Sequence, residues 1–206
     1  MTDLTAQELA TEALAPDDPA WAAPVPVEVP LVPVPVDAQP NAYIRAAWHD
    51  RPYGATSSAR VSAAVHADRL LVRLEWEGSG PMAGEFPDAC ALLVRTGDGP
   101  ATPETMGAHG QPVELWQWRD RSPVATAQPA VRHLVSTGPG RFRPAGGGDA
   151  LAADAVADGT TWSVVLAGPR GAVGDGAQVA VAVWNGANDE RAGIGAVSAE
   201  WMAVWA

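Results

Sequence analysis

The sequence predicts an all-β chain, an antiparallel β-sandwich with long loops gathered at one end and little helix, and three observations carry that prediction. Short apolar runs alternate with period two, as in Val179, Val181 and Val183 against Ala180 and Ala182, which is the mark of a half-buried strand. Nineteen prolines and 21 glycines are spread through 206 residues, so few stretches are free to form long helices. At least eight such runs recur with turn residues between them, at the spacing of a sandwich.

Taken in order, residues 2–18 form either a short helix over Ala6-Gln-Glu-Leu-Ala-Thr-Glu-Ala-Leu14, stopped by Pro16, or a tail. A single domain then runs from 21 to 206. In 24–36, valines alternate with prolines; prolines on the second face cost little if that side is unpaired, so the run is assigned to an edge strand. Residues 60–76 divide at Ala67-Asp68 into a hairpin, with Leu70, Val72, Leu74 and Trp76 on one face and Leu71, Arg73 and Glu75 on the other. Residues 86–95 are apolar enough for a central strand. A loop over 97–110 carries Met106, and Val113-Glu-Leu-Trp-Gln-Trp-Arg119 follows as a strand. Shorter strands are expected at 132–135 and 161–166, separated by a Gly- and Asp-rich loop over 138–159. After the strand at 179–183, Asn185-Gly-Ala-Asn-Asp189 makes a loop, and 194–204 returns as one last strand.

Charge narrows the partners. Twenty-four acidic residues oppose 13 basic ones, a formal net of −11, and every basic residue is arginine. Such a chain repels phosphate backbones and anionic lipid, so neither nucleic acid nor membrane insertion is expected. No run approaches the ~18 apolar residues of a membrane helix. The acidic start, Met1-Thr-Asp-Leu, lacks the basic and apolar regions of an export signal, so the chain is expected in the cytoplasm, or outside it only in the grip of an exported partner.

One cysteine, Cys90, excludes an internal disulfide, an iron–sulfur cluster held by its own thiolates and covalent haem attachment. It falls in an expected core strand, where a thiol is inert. His49, His66, His109 and His133 have no metal-ligand spacing, Gly146-Gly-Gly-Asp149 lacks the lysine of a phosphate loop, and no nucleophile elbow is present. What remains is Met106 in Thr105-Met-Gly107. A thioether on a loop expected to be polar is either a plug for an apolar gap or a soft ligand for haem iron. Tryptophans flanking the 185–200 loop could wall a flat pocket or simply be core, and Trp116 and Trp118 could alternatively serve as stacking platforms for a carbohydrate.

Trp76, Phe86-Pro-Asp-Ala-Cys-Ala-Leu92, Met106-Gly107, Pro112-Val-Glu-Leu-Trp-Gln-Trp-Arg119, Ala182-Val-Trp-Asn-Gly186, Glu190-Arg191 and Val197-Ser198 together resemble the haem b-binding gamma subunits of type II dimethyl-sulfoxide-reductase-family molybdoenzymes, such as those of ethylbenzene dehydrogenase, dimethylsulfide dehydrogenase and chlorate reductase. The likeness spans roughly 21–205. It implies a β-sandwich holding one non-covalent haem b between end loops and relaying electrons between an iron–sulfur beta subunit, which serves a molybdopterin alpha subunit, and an external redox partner. It also implies that Met106 is an axial ligand and that Trp116, Trp184 and Gly195 belong to the cofactor pocket. The family's axial lysine falls on Gly195, in Ala192-Gly-Ile-Gly-Ala-Val-Ser198, and this chain contains no lysine. Three outcomes follow from that departure: haem held on Met106 alone, a histidine such as His109 or His66 in the sixth place, or a haem-free interaction subunit. A lysine introduced at 195 would be expected to restore six-coordination, and Met106→Ala to remove haem without affecting the fold.

Overall fold

The computed structural model describes residues 2–81, 83–97, 102–120 and 131–205. Thirteen strands and one short α-helix occur among them: β1 (Thr2–Glu8), β2 (Val27–Pro33), α1 (Ala42–Trp48), β3 (Ser58–His66), β4 (Arg69–Glu77), β5 (Ala89–Arg95), β6 (Val113–Arg119), β7 (Val131–Ser136), β8 (Phe142–Pro144), β9 (Ala152–Asp158), β10 (Thr161–Pro169), β11 (Ala177–Trp184), β12 (Ala196–Ser198) and β13 (Met202–Trp205). The sandwich expected from alternation is what forms. One layer runs β8-β7-β6-β5-β11, the other β3-β4-β10-β9, and β2 with β12 links them into a single continuous hydrogen-bonded order.

Between the layers lies the main core. Leu70, Val72, Leu74 and Trp76 of β4 meet Leu92 and Val94 of β5, Trp116 and Trp118 of β6 and Val179, Val181 and Val183 of β11, all buried. Each fully buried aliphatic contributes about 1.5–3 kcal/mol relative to exposure, which is why the period-two signal predicts these strands well. The hairpin turns at Ala67, whose φ of 52° is the left-handed value needed there. Cys90 is buried in this core, and burial pushes its thiol well above its ordinary pKa, so it is unreactive.

Three elements differ from the sequence reading. Thr2–Glu8 is a strand, where a helix or tail was expected: Leu4 and Ala6 alternate with exposed Asp3, Thr5 and Gln7, so the period is two and not 3.6. Its first half pairs in parallel with β13 and its second with β3. Residues 9–21 then cover the outer face of the second layer, burying Leu9, Ala13 and Trp21 against Leu71, Val165 and Ala167. The 138–159 loop contains β8 and β9; β9 pairs along its length with β10, but its composition, Ala-Ala-Asp-Ala-Val-Ala-Asp, gives little strand signal. The final run is two strands, β12 on β11 and β2, and β13 on the far end of β11 and on β1, with Ala199-Glu200-Trp201 between them.

The proline-rich run sits where its chemistry allows. Val27–Pro30 pair only with β3 and Leu31–Pro33 only with β12, so each half has one ladder and the missing proline N–H groups leave no gap in a second one.

Candidate functional site

The outward face of the first layer carries the candidate site. Because side chains alternate, β5, β6 and β11 send Ala89, Ala91, Leu93, Leu115, Ala180, Ala182 and Trp184 away from the sandwich core. Four of these are alanine, so the sheet offers a shallow floor. Over it lies a second apolar cluster to which the loops contribute Val34, Met106 and Trp201, and β12 contributes Val197.

Met106 is fully enclosed, at 0% exposure. It ends a 3-10 turn over Pro103–Thr105 and takes the left-handed conformation, φ 48°, a position that costs a non-glycine residue on the order of 1–3 kcal/mol. Two backbone contacts hold it there: its N–H donates to the Pro103 carbonyl at 2.8 Å, and its carbonyl accepts the Ser136 hydroxyl at 2.5 Å. The sulfur therefore stands in a dry, apolar setting with its backbone clamped. The expected loop over 97–110 is seen on the Met106 side, and its 98–101 part lies outside the described residues.

Trp184 is 2% exposed, and its indole N–H donates to the Ala192 carbonyl at 3.0 Å. That bond folds the 185–195 loop back over the ring. Two buried carboxylates pin the same loop: Glu190 accepts from the N–H groups of Gly54 and Asn185 at 2.7 and 3.0 Å, and Asp88 accepts from the Gly186 N–H and the Trp162 indole, both at 2.7 Å. Gly195 lies directly against Trp184. A Cβ at 195 would be 2.7 Å from Trp184 Cδ1 and 2.8 Å from the Val183 carbonyl oxygen, so this position has neither a side chain nor room for one.

The fold thus brings Met106, Trp184 and Gly195 to one face and leaves the remaining candidates elsewhere. Trp116 points the opposite way, into the sandwich core, where its ring is so close to Gly168 of β10 that a Cβ there would lie 2.7 Å away. Trp118 is buried beside it, stacked edgewise on Trp76 and Trp162 with ring centres 6.4 and 5.0 Å away, and so is no exposed platform for a sugar. His109 is exposed on the turn between Ala108 and Gln111. His66 sits on β3 of the other layer, its Nδ1 3.0 Å from the Leu9 carbonyl. Among the described residues no three His, Cys, Asp or Glu side chains gather as a metal-binding group.

A cavity of about 310 Å³ opens at the Trp184 end of the alanine floor. Trp184, Phe86 and Phe142 supply aromatic wall, and Arg119, Arg132 and Arg191 supply charge. Arg132 is bonded to Gln117, its cross-strand partner, while its Nε is buried and meets no acceptor among the described residues. Burial first, then the like charge of Arg119, pulls its guanidinium below its ordinary pKa. The Arg191 guanidinium carbon lies over Phe86, 3.8 Å from the ring centre. None of these arginines was legible as a site residue, because their convergence depends on strand register and on a loop and not on spacing in the chain.

Met106 and Trp184 thus share one apolar cluster, position 195 contributes no side chain, and the cavity beside Trp184 combines aromatic walls with three guanidinium groups. No protein-family model matches the chain. A protein of Haloferax mediterranei named as a respiratory nitrate reductase heme subunit is 31% identical over 227 aligned positions, covering 98% of this chain and 74% of that protein. The chlorate reductase subunit gamma of Ideonella dechloratans is 30% identical over 161 positions, covering 71% of this chain and 64% of its own length. These relatives establish that the chain belongs to the gamma subunits of type II molybdoenzymes.

Proposed function

We propose that this chain is an electron-transfer subunit of an oxidoreductase complex, carrying one non-covalent haem b and relaying electrons between an iron–sulfur beta subunit, with its molybdopterin alpha subunit, and an external redox partner. The observation that carries the reading is the thioether of Met106, clamped and dry in one apolar cluster with Trp184 and Trp201. Haem b bound there supplies a one-electron couple at iron. The protein's part is to present the sulfur as a soft neutral ligand, to exclude water with the two indoles and to keep the surroundings apolar, levers that favour the ferrous state. The names of the two relatives, a heme subunit of a nitrate reductase and a gamma subunit of a chlorate reductase, support a place beside a catalytic partner.

Titration of the purified protein with hemin tests the reading. A Soret band with a reducible α band is expected, and Met106→Leu, which keeps the packing volume and removes the sulfur, should shift or abolish it. A colourless protein that develops neither band with excess hemin would overturn the proposal.

The contact between Gly195 and Trp184 favours a second reading, an interaction subunit of the same kind of complex that has shed its haem. Purification with its partner and without chromophore, in cells able to supply haem, would select that alternative.

A further inference from the structure

The cavity beside Trp184 has chemistry that the axial ligand does not use. Three guanidinium groups converge on it in a chain whose net charge is −11. The one carboxylate in its lining, Glu190, is already engaged by the N–H groups of Gly54 and Asn185 and by the Asn188 side chain. Arg119 and Arg132 repel each other there, and the buried Arg132 Nε–H faces no acceptor among the described residues. Clustered like charge with an orphaned donor is costly unless an anion completes it. Guanidinium forks match carboxylates, and the Phe86, Phe142 and Trp184 walls match a flat conjugated body. Trp184 and Ala89 belong both to this cavity and to the Met106 cluster, so one flat molecule could touch both.

We infer that Arg119, Arg132 and Arg191 form a carboxylate-binding subsite that receives the acidic edge of a porphyrin lying on the outward face of the first layer. This rests on the proposed haem reading, but its test does not need iron. Metal-free protoporphyrin IX, which has two carboxylates, and its dimethyl ester, which has none, are titrated against the full chain by fluorescence. The diacid is expected to bind on the order of tenfold or more tightly than the ester, the effect of losing charge-assisted hydrogen bonds. Arg132→Gln and Arg191→Gln should each weaken diacid binding more than ester binding and so narrow the ratio between the two. Equal affinity for diacid and ester in the unaltered chain, which requires no variant to fold, would overturn the subsite. In that event a hemin spectrum sensitive to Met106→Leu would leave the haem reading standing. Binding of neither porphyrin, with no hemin spectrum, would remove both.

Discussion

Met106 owes its interest to a contradiction between where it stands in the chain and where it stands in space. A glycine-flanked loop residue reads as exposed, and substitution to alanine then reads as harmless to the fold. In the structure the side chain is wholly enclosed, so Met106→Ala should lower stability by about 2–5 kcal/mol, measured by urea unfolding, while Met106→Leu should cost less than about 1.5 kcal/mol. Only the leucine variant separates ligation from packing. Gly195 reverses an expectation in the same way. A lysine there was expected to restore an axial ligand, but its Cβ would meet the Val183 carbonyl at 2.8 Å, and backbone does not yield as a side chain does. Gly195→Ala should therefore destabilise by about 1–3 kcal/mol, and Gly195→Lys should lower the melting temperature and not add a nitrogen ligand. A Gly195→Lys protein as stable as the parent would show that the 192–195 loop lifts readily from Trp184. Trp184→Ala, which empties a 2%-exposed site, should cost about 3–5 kcal/mol.

At the scale of elements, the β4–β10 pair offers a pH signature. Glu77, at the end of β4, accepts the hydroxyls of Thr161 and Thr160 at 2.6 and 2.9 Å, and these bonds hold its carboxyl below its ordinary pKa. The unfolded chain then takes up a proton before the folded one as pH falls. The contribution is present above the unfolded carboxylate value and is lost on acidification through the folded one, which lies below it. Glu77 is fully exposed, so the effect is small; Glu77→Gln should flatten that part of the stability profile in chemical denaturation. Elements with a buried face were legible: β4, β5, β6 and β11 each carry alternating or continuous apolar residues. Elements stabilised by pairing alone were not. β9 exposes Val156 and buries little, and β1 has only Leu4 and Ala6 to mark its inward face.

Across the whole molecule, two strands do the stitching. β1 pairs first with β13 of one layer and then with β3 of the other, and β2 pairs first with β3 and then with β12. Both therefore tie the layers along the same side and cover edges that would otherwise recruit another chain. Removal of residues 1–9 should lower the melting temperature and promote association, seen as a rising apparent mass in light scattering, because β13 and β3 each lose a neighbour. Monomeric behaviour with an unchanged melting temperature would show that the parallel pairing of β1 is dispensable. The architecture was legible in the sequence; family resemblance put Met106 and Trp184 in one pocket, and the structure places both side chains in one apolar cluster. The direction of Trp116 was not: one register step decides which side of β6 faces the core, and a strand with Val113 and Leu115 on one side and Trp116 and Trp118 on the other is apolar on both.

That double stitch also dictates how anything reaches the sulfur. Layers sewn together by two shared strands have no hinge along that side, so admission of a guest falls to the coverings, the turn bearing Met106 and the 185–195 segment. Amide exchange should accordingly be fastest in those coverings and slowest in β5 and β11, and a bound guest should slow the coverings while leaving the sheet beneath them as it was.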